Sequence, residues 1–377
     1  MPAISTSGCR IARVTAVLFL VVGASVLGSP SGSAQRSPLR SGAATAPAPT
    51  SDSALVQAAA VAARVATRAG EAWPGFWPVD QAFILTRYPD AALLVSSTPP
   101  PPGYTPLSGE AAPEELRARG YLYLGMPAGL EQSRGFHIAF PVNGRRVTAV
   151  PLQPTLFKTL DLLYHESFHL FQIERFARVP GEPRGEFGKP LVDSVHIAPL
   201  EFTAKVEVER RILSAALASS RADSLRSLLH LYLATRRARS DGLADVQAVE
   251  RMMERQEGTA RYVGLSAAST ATGAGRDTVV AFLRRELARP LEEFSRGPET
   301  DARLMRHRLY ATGASLGVVL DRLGIPWRDR VQRGEYLDAI LARALAFDPR
   351  RTRVLSRAAL VRFGNADVVG RERAIPR

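Results

Sequence analysis

Hydrophobic positions along this chain come first in short runs and later fall into a helical period, and the change comes near residue 155. The alanine-rich stretch 53–72 predicts a helix, with Asp52 or Ser53 as its N-cap and Gly70 near its end. Trp73-Pro74-Gly75-Phe76-Trp77-Pro78 breaks it. Apolar runs at 82–86, 91–96 and 121–124 predict strands, and the prolines of 99–102 predict an extended loop. The clearest strand signal is the pair 136–142 and 146–152, joined by Asn143-Gly144. Asn-Gly suits the positive φ angles of a two-residue hairpin turn. Pro141 lacks an N–H to give to a ladder, so one of these strands lies at a sheet edge or carries a bulge.

From residue 155 the spacing predicts helices over 155–176, 200–218, 222–240, 243–263, 277–288, 301–323 and 335–346. Ser219-Ser220 and Asp241-Gly242 punctuate this run, and 181–189 reads as a loop. No internal repeat of fixed period is visible. The layout divides into a β-rich lobe over 53–153, opened by a helix, and a mostly helical lobe over 154–377.

The first residues change the picture. Arg10 and Arg13 precede an apolar run over 14–27, then small residues ending at Ala34. This is the pattern of an export signal over 1–34, with an uncleaved anchor as the alternative. The run is short for a bilayer span, which takes about 20 apolar residues. Residues 35–52, rich in Ser, Ala, Pro and Gly, read as a flexible linker. An exported, periplasmic or secreted protein with no stable membrane span after cleavage is expected. The single cysteine, Cys9, falls inside the signal, so the mature chain has no disulfide, no thiolate ligand and no cysteine nucleophile. The net charge is +13, carried almost wholly by arginine, with Lys158, Lys189 and Lys205 the only lysines. The arginines are scattered among acids and alanines, with no basic patch interleaved with aromatics, so nucleic acid is not an expected partner. A basic protein that binds anionic surfaces is a further possible class.

Candidate chemistry centres on His165-Glu166-Ser167-Phe168-His169, an H-E-x-x-H segment in a chain with 6 histidines. Residues four apart share a helix face, so both imidazoles can meet one zinc ion while Glu166 stands beside it as a base. A catalytic zinc takes a third protein ligand. The best donor downstream lies in Arg255-Gln256-Glu257-Gly258-Thr259-Ala260-Arg261-Tyr262, where Gly258 and Ala260 are small enough to let this helix approach the metal helix. Glu254, one turn before Glu257, is an alternative ligand or outer partner, and Glu201 a weaker candidate.

His165-Glu166-x-x-His169 followed by Glu257-Gly258-x-Ala260-x-Tyr262 resembles the gluzincin metallopeptidases, most closely the aminopeptidase-N-like group. Tyr310-Ala311-Thr312-Gly313-Ala314 resembles that group's Y-x-K-G-A segment. The likeness spans 146–320 in organisation and is specific in these three motifs. It implies an α+β, zincin-like fold and a zinc peptidase acting on a peptide or protein substrate. By that resemblance, His165, His169 and Glu257 hold Zn2+, Glu166 is the general base, and Tyr310 stabilises the transition state. It also leads us to expect that strand 146–152 pairs with an extended peptide. The chain departs from the pattern in four places. A long helical insertion separates His169 from Glu257, Gln256 stands in place of Asn, and Thr312 stands in place of Lys. No G-x-M-x-N segment is present, so aminopeptidase or endopeptidase action stays open. Two other classes also remain: a non-catalytic metal-binding envelope protein, and a zinc hydrolase of a non-peptide amide or ester.

The other polar residues have plainer readings. Gln172 is either an outer partner of the metal site or a residue at the core rim. Tyr310 is otherwise a core tyrosine, and His307, one turn before it, is a surface histidine able to reach a cleft. His137, His196 and His230 have no assigned role.

Overall fold

The computed structural model describes residues 51–65, 68–78, 80–99, 105–106, 113–117, 121–182, 200–289 and 300–364. The expected export signal and nearly all of the expected linker lie outside them. Ser51 and Asp52, at the linker's expected end, already belong to the first helix.

In chain order the elements are α1 (Ser51–Arg64), β1 (Phe83–Arg87), β2 (Ala91–Ser96), β3 (Thr105–Pro106), α2 (Glu114–Arg117), β4 (Tyr121–Gly125), α3 (Ala128–Gln132), β5 (His137–Val142) and β6 (Arg145–Pro151). They continue with α4 (Leu156–Arg175), α5 (Leu200–Ala218), α6 (Ala222–Arg239), α7 (Ala244–Met253), a π-helical turn (Glu254–Gly258), α8 (Thr259–Thr272) and α9 (Gly275–Ala288). Last come α10 (Thr300–Arg322), α11 (Arg328–Gln332), α12 (Leu337–Ala344) and α13 (Thr352–Phe363). The fold is mixed α+β and mostly helical. Among the described residues, no helix is long and apolar enough to cross a membrane.

The strands form one sheet in the order β3-β4-β2-β1-β6-β5. Strands β1 and β6 run parallel; the other neighbours are antiparallel. The β5–β6 hairpin turns at Asn143 and Gly144, whose φ angles of 48° and 76° are the pair such a turn requires. Pro141 lies on β5, which is an edge strand and carries a register shift between His137 and Phe140. Strand β6 is hydrogen-bonded on both sides, to β1 and to β5. This corrects the expectation that strand 146–152 receives a substrate peptide, because its backbone groups are already used.

Side chains alternate across the sheet with a period of two. Phe83, Leu85, Leu93, Val95 and Val150 face a large core shared with α1, α4 and the later helices. Ile84, Ala92, Leu94, Phe140, Val147 and Ala149 face a smaller cluster that takes Leu130 from α3.

Helix α4 follows β6 after a short turn and is started by Thr155, whose hydroxyl accepts from the Lys158 N–H at 3.3 Å. Its Leu160, Leu163, Tyr164 and Phe168 sit in the large core, and Phe168 meets Trp73 and Phe76 edge-on at 5.0 and 5.2 Å. Burying a phenylalanine side chain contributes about 1.5–3 kcal/mol. The Tyr164 hydroxyl donates to Ala62 O at 3.2 Å, which ties α4 to α1. One face of α4 is thus anchored in the core.

Two predicted helices differ in detail. The stretch 53–72 ends as a helix at Arg64, with a separate turn at Ala69–Glu71. The stretch 243–263 is α7, the π turn and α8, ending at Gly273 in the left-handed conformation.

Candidate metal centre

His165 and His169 stand one turn apart on the face of α4 that packs on α8. A side chain cannot be added at Gly264 of α8 because a Cβ there would lie 2.7 Å from Asp161 O and 3.2 Å from His165 Cβ. That contact sets the spacing between the two helices. The expectation that Gly258 serves this purpose needs correcting: Gly258 faces α10 instead. A Cβ on Gly258 would lie 2.6 Å from the Gly313 Cα, and one on Gly313 would lie 2.8 Å from Glu254 O. The π turn and α10 therefore cross backbone to backbone.

The π turn is what presents Glu257. An i→i+5 turn holds an extra residue, so side chains three apart no longer share one face as they would in an α-helix. Glu257 points at the imidazoles and Glu254 points away. Both Glu254 oxygens accept from Arg236, at 2.7 and 2.8 Å. This removes Glu254 as a ligand. It belongs to a buried ion network in which Arg239 pairs with Glu209 and Glu250, Arg308 donates to Glu250, and Arg251 reaches Asp338. The network braces the turn from behind.

The three expected ligands converge. His165 Nε2 and His169 Nε2 lie 3.2 Å apart, and Glu257 Oε2 lies 3.3 Å from the first and 3.2 Å from the second. In a tetrahedral zinc site with bonds of about 2.0–2.1 Å, donors lie about 3.3 Å from one another. The observed triangle matches one face of such a tetrahedron. His165, His169 and Glu257 therefore form a group able to hold a metal ion.

Burial disfavours charge on both imidazoles, but they end in different states. Burial lowers the pKa of His165 to about 4, against the pull of Glu257. For His169 the same burial is outweighed by Glu257 and Glu166, and its pKa rises to about 9. Burial alone would raise the Glu257 carboxyl; the two imidazoles hold it well below the usual range instead. At neutral pH and without an ion, His165 is neutral, Glu257 is ionised, and the extra proton sits on His169 facing Glu257.

Gln172 is the outer partner of His169. Its Oε1 accepts from the His169 Nδ1–H at 2.8 Å, while its Nε2 donates to Gln256 O at 2.8 Å and Thr259 Oγ1 at 2.9 Å. With Nε2 committed to two acceptors, the amide presents oxygen to the ring. His169 is therefore held with Nε2 turned toward the shared point.

Glu166 is buried beside His165 on α4, near enough to His169 to raise its pKa. The Tyr310 ring lies parallel to the His165 ring, with centroids 5.7 Å apart and 5° between planes. His307 is exposed and stacks on Tyr310 at 5.8 Å. His137 lies on β5 and His230 on α6, each in another neighbourhood. His196 and the Glu201 side chain fall outside the described residues.

Sequence reasoning missed one further pair at the centre. Asp161, one turn before His165, accepts from Arg261 Nη1 at 2.5 Å and ties α4 to α8. The signal was available: Asp161 is four residues before His165, and Arg261 is four after Glu257. No family model matches the chain, and no curated protein or solved structure does.

Proposed function

We propose that this protein is a zinc-dependent peptidase of zincin-like fold, exported by its N-terminal signal. The observation that carries this reading is the triangle of His165 Nε2, His169 Nε2 and Glu257 Oε2, with sides of 3.2–3.3 Å. Two imidazole nitrogens and one carboxylate oxygen are the donor set of a catalytic zinc site. Order along the chain also supports it: a sheet, the helix with two histidines, then a carboxylate from a later helix.

His165, His169 and Glu257 hold the ion. When bound, it supplies Lewis acidity toward water and toward a substrate carbonyl. Glu166 accepts the proton of the attacking water and delivers it to the leaving nitrogen. Tyr310 donates its O–H to the substrate oxygen as negative charge builds. Gln172 keeps the His169 ring in register throughout. An intact Glu166 beside the ligands favours catalysis over simple metal storage.

Two measurements on the mature protein test the reading. Elemental analysis is expected to find one zinc per chain, and a peptide-library digest is expected to show cleavage that a chelator abolishes. Glu166→Gln keeps the metal and loses about 10²–10⁴-fold in turnover. Tyr310→Phe keeps the metal and loses about 100-fold in kcat. Zinc without any turnover would leave a metal-binding protein, and turnover confined to esters or small amides would move the substrate class. Absence of zinc would end the proposal.

A further inference from the structure

A histidine that gives its Nε2 lone pair to a metal is neutral and carries its proton on Nδ1. In a buried site that N–H needs an acceptor, and the acceptor fixes the ring and strengthens the ligand. His169 has Gln172 in this role. His165 Nδ1 is buried and has no hydrogen-bond partner.

A matching acceptor lies one turn earlier on the same helix. Asp161 is 4% exposed, and only one of its oxygens is used: Oδ2 accepts from Arg261. Its Oδ1 is buried and without a hydrogen-bond partner. Both groups border one small space beside α8. A Cβ placed on Gly264 would lie 2.8 Å from Asp161 Oδ1 and 3.2 Å from His165 Cβ. The bare glycine keeps that space clear. Thus a buried donor position and a buried acceptor, each unsatisfied, share one face at i, i+4 spacing. A buried polar group left without a partner loses its hydration with nothing in exchange.

We propose that Asp161 is the positioning residue for His165: with metal bound, Asp161 Oδ1 accepts the His165 Nδ1–H, while Arg261 holds the other carboxylate oxygen. The two ligand histidines then have different outer partners, a neutral amide for His169 and an ion-paired carboxylate for His165. The inference rests on the metal centre proposed above and concerns how tightly that centre holds its ion.

The test is zinc affinity, measured by chelator competition on the full chain, together with the ring N–H proton resonances of the zinc-loaded protein. Asp161→Ala is expected to weaken zinc about 10–100-fold. It should move or abolish the His165 Nδ1–H signal and leave the His169 signal in place. Asp161→Asn keeps an acceptor oxygen and is expected to fall between the parent and Asp161→Ala. If Asp161→Ala does not fold, Asp161→Asn decides, because a purely structural aspartate would lower the melting temperature of the metal-free protein without shifting the His165 resonance. Zinc affinity within twofold of the parent, with that resonance unmoved, overturns the assignment while the metal centre stands. A parent protein that binds no zinc overturns the metal centre itself.

Discussion

At the scale of single residues, the centre depends on which atom holds a proton. Without an ion, His169 is raised to about 9 and Glu257 is held low, so one proton stays between them through neutral pH. A metal must displace that proton to bind. Apparent affinity is therefore expected to rise about tenfold per pH unit across the neutral range and to level off only near pH 9. An unperturbed histidine would level off near pH 6.5. Competition titrations from pH 6 to 10 check this; a plateau already reached at pH 7 would mean the proton is not shared as described. Much of this was legible in the sequence, because i, i+4 spacing alone places two rings on one face. Gln172 could be read as a partner from its place one turn beyond His169. The unequal states of His165 and His169 could not, since they arise from burial and from Glu257, 88 or more positions away in the chain.

At the scale of elements, the π turn and its crossing with α10 decide where Glu257 points. Five residues of i→i+5 bonding have no periodic signature, so the stretch reads as one α-helix from sequence, and Glu254 then looks like a neighbour of Glu257. The structure separates them. Gly313→Ala tests the crossing. In a free helix alanine is better than glycine by about 1 kcal/mol. Here its Cβ would meet Glu254 O at 2.8 Å and the Gly258 Cα at 2.7 Å, both backbone atoms that cannot rotate away. Overpacking of this kind costs about 1–3 kcal/mol and outweighs propensity. The expected result is a lower Tm together with weaker zinc binding; a Tm equal to or above the parent's would show the crossing to be loose. The sheet gave a similar lesson. The β5–β6 hairpin was legible from Asn143-Gly144, but the parallel pairing of β6 with β1 is a long-range choice that no local pattern records, and it moved the sheet edge to β5.

At the scale of the molecule, a bound ion would join parts of the chain that are far apart in sequence, the α4 pair and the turn after α7. Binding only to the folded form, zinc at about a thousandfold excess over its Kd adds about 4 kcal/mol of stability. Tm is expected to rise by several degrees on loading and to fall on chelation, with unchanged Tm counting against a preformed site. The buried ion network has a wider consequence. Arg236, Arg239, Arg308 and Arg251 are set against Glu209, Glu250, Glu254 and Asp338, so positive and negative charge cancel within it. The surplus that gives the chain +13 then lies on side chains outside this network. Ionic strength acts on exposed charges and is screened from interior ones. Raising the salt concentration should therefore weaken contacts made by exposed arginines while leaving a metal at the buried centre held as before.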